Sequence, residues 1–410
     1  MRELINYRKR RMVKTNHISQ KTNCPIEQEA KWQEGIVKSR ELLLGNLALL
    51  SEYPAQTFHE RKRAEFILSR YANMSTVDPT TDPMHNAIGI ISGNTGKRNI
   101  LICTHMDNQF SSSIDQNITV SADRVQGAGV ADDNLGIATL ITLPDIFKKL
   151  ELELDCNVIL LGTTRYHGRG DFEGMHTFLK EYPEKIDVVI NITGLSMGSL
   201  DYFSLSRVRC DIHCELQEPE LESSWSRMSE SNAILVANEV INSLNSIPLP
   251  KKPKTILNIG MISGGERYST VSRDAHLNLE ILSDENSMME HLCEQIVDNC
   301  TDIAAKDGAN ITCDFFGEHK ASGLSSSHPL IKCALETIKG LGYKPRTEYS
   351  SSQITVSLAQ GIPSISIGLT EGKGGSTNRS FIELDTLEKG LMQLITLIHK
   401  IDKMGNLINE

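Results

Sequence analysis

Residues 99–107 read NILICTHMD, an apolar run that ends by delivering His105 and, two positions later, Asp107. Four consecutive apolar residues bounded by polar ones read as a buried strand. Working outward, similar runs at 87–91, 157–161 and 187–192 alternate with helical spacing at 136–148 and 172–181. That alternation predicts an α/β domain, a mostly parallel sheet flanked by helices. In such sheets ligands collect beyond the carboxyl ends of the strands, which is where His105 and Asp107 fall.

On the amino-terminal side, Leu42, Leu43, Leu47 and Leu50, then Phe66, Ile67 and Tyr71, keep helical spacing on either side of a break at Tyr53 and Pro54. They predict a helix pair. After residue 202 the order changes to strand (203–214), helix (231–244), two strands (255–262 and 275–282), helix (288–306) and strand (309–316). This βαββαβ order is the ferredoxin-like unit. A helix at 328–341 and an apolar strand at 364–369 then resume the first pattern. The expected organisation is a polar tail over 1–35, a large domain from 36–202 and 318–410, and an inserted domain over 203–317.

Composition sets outer limits. With 39% apolar and 23% charged residues the chain reads as globular, and no run of about 18 apolar residues offers a membrane partner. A net charge of −10 repels a phosphate backbone, so no nucleic-acid partner is expected. The basic cluster from Arg8 to Arg11 reads as a solvated tail, and no apolar segment follows it to make a secretory signal. Nine cysteines without a CxxC pair give neither a disulfide framework nor a thiolate zinc cluster, and suit a reducing cytoplasm. Cys103 and Cys156, in or beside apolar runs, read as buried small hydrophobes.

Two motifs carry chemistry. His105 can place an imidazole on a metal while Asp107 orients it, although alone the pair reads more readily as structural. GAGVADDNLG (127–136) puts Asp132 and Asp133 at the start of a helix, where a carboxylate serves a cation bridge or a plain helix cap equally well. Ser350, Ser351 and Ser352 read as a helix cap. Trp225, His319 and His328 read as packing or surface residues, and the GKGG run at 372–375 lacks phosphate-loop spacing.

Taken in order, His105 and Asp107, GAGVADDNLG, GTTRYHGRGDFEG (162–174), INITG (190–194), the inserted βαββαβ unit, GMISGGERYSTV (260–271) and GIPSISIGL (361–369) resemble the peptidase T, aminoacylase and succinyl-diaminopimelate desuccinylase family of co-catalytic zinc hydrolases. The resemblance spans roughly residues 36–405. It implies that the inserted unit is a lid and dimerisation domain. It also implies that His105 is a metal ligand, that Asp107 orients it, and that Asp132 is the carboxylate bridging two zinc ions.

Other positions depart from the family's pattern. Tyr166 falls where the family has its general-base glutamate, and His167 where it has a zinc-binding one. Thr193 replaces an expected aspartate ligand and Asn378 an expected histidine. Ser223 and Ser269 fall where the family has a histidine and an asparagine that stabilise an oxyanion. A phenol is a poor base near neutral pH, and hydroxyl and amide oxygens are weak zinc donors. At most one ion, zinc or another divalent metal, is expected, on His105, Asp132 and His167.

Three functions stay open. The cleft binds a peptide-like or acyl-amino-acid ligand without ordinary dizinc hydrolysis, or it runs a repurposed amide-forming, transfer or cyclising step, or it remains a metal-dependent peptidase or amidohydrolase. A homodimer through the inserted domain is expected.

Overall fold

The computed structural model describes residues 25–110, 114–217, 231–268, 270–375 and 377–405. The expected tail ends earlier than residue 35, because a helix runs over Pro25–Val37. Trp32 and Ile36, four residues apart, are buried in the main core, and the Trp32 ring meets His399 edge-on. An otherwise polar segment hid that two-residue stripe. The helix pair follows as Arg40–Ser51 and Arg61–Ala72.

Strands β1 (Asp78–Thr81), β2 (Ala87–Ile91) and β3 (Asn99–His105) come next, then the short β4 (Thr119–Val120) and β5 (Arg124–Gln126). After helix Leu135–Lys149, β6 (Asn157–Thr163), helix Glu173–Glu181 and β7 (Val188–Met197) complete the pattern read above. β8 (Leu200–Asp201) and β9 (Phe203–Ser204) lead into the insert. There β10 (Ser206–Glu215), β11 (Thr255–Gly264), β12 (Asp274–Ser283) and β13 (Asn310–His319) alternate with helices Ala233–Ser246 and Ser287–Asp307. The chain returns through β14 (Ser322–Gly323), helices Pro329–Gly340 and Ile354–Ala359, β15 (Ser364–Gly368), β16 (Gly372–Lys373), β17 (Phe381–Glu383) and helix Leu384–Met404.

The seven-stranded sheet has the order β1-β2-β6-β3-β7-β15-β8. Its four central strands are parallel, while β1, β2 and β8 join antiparallel, so the sheet is mixed and parallel only at its centre. Both faces are covered. Ile100 and Ile102 of β3 pack with the long helices, and Leu101 and Cys103 pack with Phe172, Met175 and Phe178 on the other side. β15, from the C-terminal segment, pairs with β7 and closes the sheet around the insert. The insert's own sheet, β11-β12-β10-β13, is wholly antiparallel in ferredoxin-like order, with its helices on one face. No helix among the described residues is long and apolar enough to cross a membrane.

Candidate metal centre

Strand β3 ends at His105, which pairs in register with Thr163 at the end of β6. The ring Nδ1 donates to the backbone carbonyl of Asp107 at 2.9 Å, and the carboxylate Oδ1 lies 3.7 Å away. The carbonyl, rather than the carboxylate, therefore fixes the tautomer and leaves Nε2 with its lone pair.

The Asp107 carboxylate is spent on the loop after β6. It accepts from the backbone N–H of Tyr166 (3.1 and 3.0 Å), from that of His167 (3.1 Å) and from Thr57 Oγ1 (2.8 Å). Burial would raise its carboxyl, but contacts with His105, His167 and Thr57 prevail and hold it at about 2. A fully buried Arg63 braces the same corner. It donates to the carbonyls of Tyr53 (2.7 Å) and Met106 (2.7 Å) and to Asn134 Oδ1 (2.9 Å), so it ties the end of β3 to the turn that carries Asp132.

That turn begins at Gly129, in the left-handed region at φ +73°, and winds as a π-turn over Val130–Asn134. It does not use Asp132 as a helix cap. Asp132 Oδ1 instead stands 3.5 Å from His105 Nε2. Gly194 lets β7 pass close, since a Cβ there would sit 2.5 Å from the Ala131 carbonyl.

His167 completes the group. One donor atom from each of His105, Asp132 and His167 lies within 4.8 Å of the others. Burial, then the nearby His105, lowers the His167 pKa to about 4, so the ring is neutral at pH 7. Its Nε2 is buried without a hydrogen-bond partner, while Gln109 Nε2 lies 2.9 Å from Nδ1. For Nε2 to offer a lone pair, Nδ1 must carry the proton, and a flip of the Gln109 amide presents the oxygen that would accept it. Tetrahedral zinc with bonds near 2 Å sets its ligands roughly 3.3 Å apart, close to the His105–Asp132 separation. The three residues fit one such ion.

Tyr166 lies flat on His105, with ring centroids 3.9 Å apart and planes 11° from parallel. Its hydroxyl donates to the Ser351 carbonyl at 3.3 Å, and burial raises its pKa above the ordinary phenol value. It is a neutral aromatic lid on the imidazole. The hydroxyl of Thr193 is turned to the carbonyls of Leu195 and Ile367, 3.2 Å from each. Asn378 is exposed on the turn between β16 and β17. Ser223, Ser269 and Trp225 lie outside the described residues. Ser350 and Ser352 do not cap the next helix but bond to each other at 2.8 Å. His328 does cap one, with Nδ1 accepting from Leu330 N.

The sequence reading missed the contact between the lid and this loop. Arg165, Asp171 and Phe172 all have positive φ (53°, 44° and 62°), a strained path that turns the Asp171 carboxylate to the insert. There it meets Arg207 and lies 2.8 Å from His319 Nε2, with Arg209 at 3.4 Å. Arg209 also donates to the Gly168 carbonyl at 2.7 Å, and Arg169 bridges to Asp314 at 2.7 Å. The alternation of Arg207 and Arg209 on the first lid strand was the available signal.

Solved structures share this architecture over nearly their whole length. This is the M20 metallopeptidase fold. A tripeptidase from Staphylococcus aureus is similar to the chain with a TM-score of 0.72 at 16% identity, over 88% of this chain and 98% of that one. Human carnosine dipeptidase 1 gives 0.74 at 11% identity, over 93% and 100%. A dinuclear metal-binding peptidase of the M20 family from Bacillus subtilis gives 0.62 at 14% identity, over 89% and 99%. By sequence, no family model and no curated protein matches the chain. At these identities the likeness establishes the M20 fold.

Proposed function

We propose that this M20-fold chain binds a peptide-like or acyl-amino-acid ligand in the cleft beside His105, with a single divalent ion there and without dizinc peptide hydrolysis. The observation that carries the reading is Tyr166, a proton-bearing phenol stacked on His105 where a proton-accepting carboxylate would be needed. Asp107, the nearest alternative, already accepts from three donors and is held far below neutrality. His105, Asp132 and His167 supply donors for one ion. Bound, the ion supplies Lewis-acid polarisation of a carbonyl on the ligand. The chain's own residues bind and orient: His105 is fixed by the Asp107 carbonyl, and Tyr166 covers one side of the imidazole and excludes water from it.

Two finer readings go with this. The eight free cysteines among the described residues support a reducing cytoplasm. The uncovered edge of the lid supports pairing with a second copy. The test of the main reading is to assay the chain with dipeptides and N-acyl amino acids in added zinc, cobalt or manganese. Binding without turnover is expected, with zinc affinity in the cleft lost in His105→Ala. Robust metal-dependent turnover abolished by His105→Ala would overturn the reading.

A further inference from the structure

The lid carries a second group of metal-ligating side chains that the cleft does not use. Along β10 and β12, Cys210, Ile212, Cys214, Ala275, Leu277 and Leu279 are buried under the lid helices. Strand alternation therefore turns His213, Glu215, Asp274 and His276 to the opposite, open face. The register sets His213 directly across from His276, and Glu215 across from Asp274.

The two imidazoles stack with centroids 4.3 Å apart and planes 6° from parallel. Asp274 Oδ2 stands 3.3 Å from His276 Nε2, and one donor atom from each of His213, Asp274 and His276 lies within 4.8 Å of the others. The neighbouring pair adds a reason for a cation. Like charges directly opposite on paired strands repel, and Glu215 faces Asp274 with Asn310 Nδ2 as its hydrogen-bond donor at 3.3 Å. The group shares no ligand with the cleft: His213 lies two residues, roughly 7 Å of strand, beyond Asp211, which Arg169 of the cleft loop contacts, and none of its donors lies beside His105.

We propose that His213, Asp274 and His276 form a site for a zinc-class divalent ion on the open face of the lid, independent of the cleft. Two imidazoles and a carboxylate, with water in the fourth position, are a normal zinc set, and these borderline donors also suit nickel or copper. The His276 side chain is 49% exposed, so the rings turn from stacked to converging without disturbing the core. An ion there offsets the Glu215–Asp274 repulsion and clips two neighbouring strands. Because it binds the folded strand pair and not the unfolded chain, it stabilises the lid by mass action.

The test is equilibrium dialysis of the full chain against zinc, counting bound metal per chain. Wild type is compared with the lid variant His213→Gln/His276→Gln and the cleft variant His105→Gln/His167→Gln. The lid variant should bind one equivalent fewer and lose the part of the zinc-induced rise in Tm that the cleft variant keeps. Asp274→Asn should weaken the lid site by at least about 10-fold, since losing even an outer partner of a metal ligand costs that much, and this single change carries the test should the double variant fail to fold. A lid-variant isotherm that superimposes on the wild type, an unchanged isotherm for Asp274→Asn, or a cleft variant that binds no zinc would overturn the proposal.

Discussion

Tyr166 keeps its proton because burial disfavours the phenolate, and its ring is held flat on His105 by contacts that a glutamate would not make. Restoring a carboxylate at this one position removes the stacked ring and adds a base beside a three-donor site. A positioned base is worth about 100- to 10,000-fold only when the rest of the machinery acts with it. Tyr166→Glu is therefore expected to leave dipeptide and N-acyl-amino-acid turnover at background in added zinc, as read by ninhydrin or chromatographic product assay. Turnover rising by orders of magnitude would show that the base alone was missing. The sequence made Tyr166 and His167 legible because glycines 162, 168, 170 and 174 frame them. Arg63 was not legible. It sits on a helix face with Ala64, Ile67 and Tyr71, and nothing local says that its acceptors come from 53, 106 and 134.

Among the elements, β8 carries a titratable group set against its surroundings. Asp201 pairs with Ser366 of β15 at the sheet edge and accepts from Glu348 N at 3.2 Å. Burial raises its pKa to about 6, the Glu348 hydrogen bond lowering it and the Glu348 charge raising it. The folded chain thus prefers the protonated form, whereas the unfolded chain ionises near 3.9. Stability from this group is lost as pH rises from about 4 to about 6, and the full cost is present above that window. Asp201→Asn is expected to raise Tm by a few degrees near pH 7.5 and to leave it unchanged near pH 3.5. Calorimetry at the two pH values checks this, and an equal shift at both would mean the gain does not come from ionisation. The elements themselves were largely readable, since both sheet strands and lid strands keep their apolar signatures. The Pro25–Val37 helix was not, because Trp32 and Ile36 gain their partners only from the C-terminal helix, far along the chain.

For the whole molecule, the outer edge of the lid is the surface that calls for a partner. β11 is an edge strand, Met261 and Ile262 on it are 55% and 52% exposed, and Leu235, on the helix that packs against β11, is 63% exposed. An uncharged apolar edge strand is an aggregation hazard unless it is paired, and a second copy offers the same surface in return. The chain is expected to run as a dimer in light scattering coupled to size exclusion, and Leu235→Asp/Met261→Asp as a folded monomer. A wild-type monomer at all accessible concentrations would refute lid pairing.

The Asp171 cluster bears on the same molecule in solution. The side chains of Asp171, Arg207 and His319 are 16%, 9% and 4% exposed, whereas Arg169 and Asp314 in the outer bridge are 50% and 63% exposed. Mobile ions screen exposed charges over about 8 Å at physiological strength and reach buried ones far less. Raising potassium chloride to about 1 M should therefore dissolve the Arg169–Asp314 bridge and leave the buried contact of Asp171 with Arg207 and His319 in place. A spin-label distance across the two domains should stay constant through the titration, so that the cleft presents the same width to its ligand in dilute buffer and in brine.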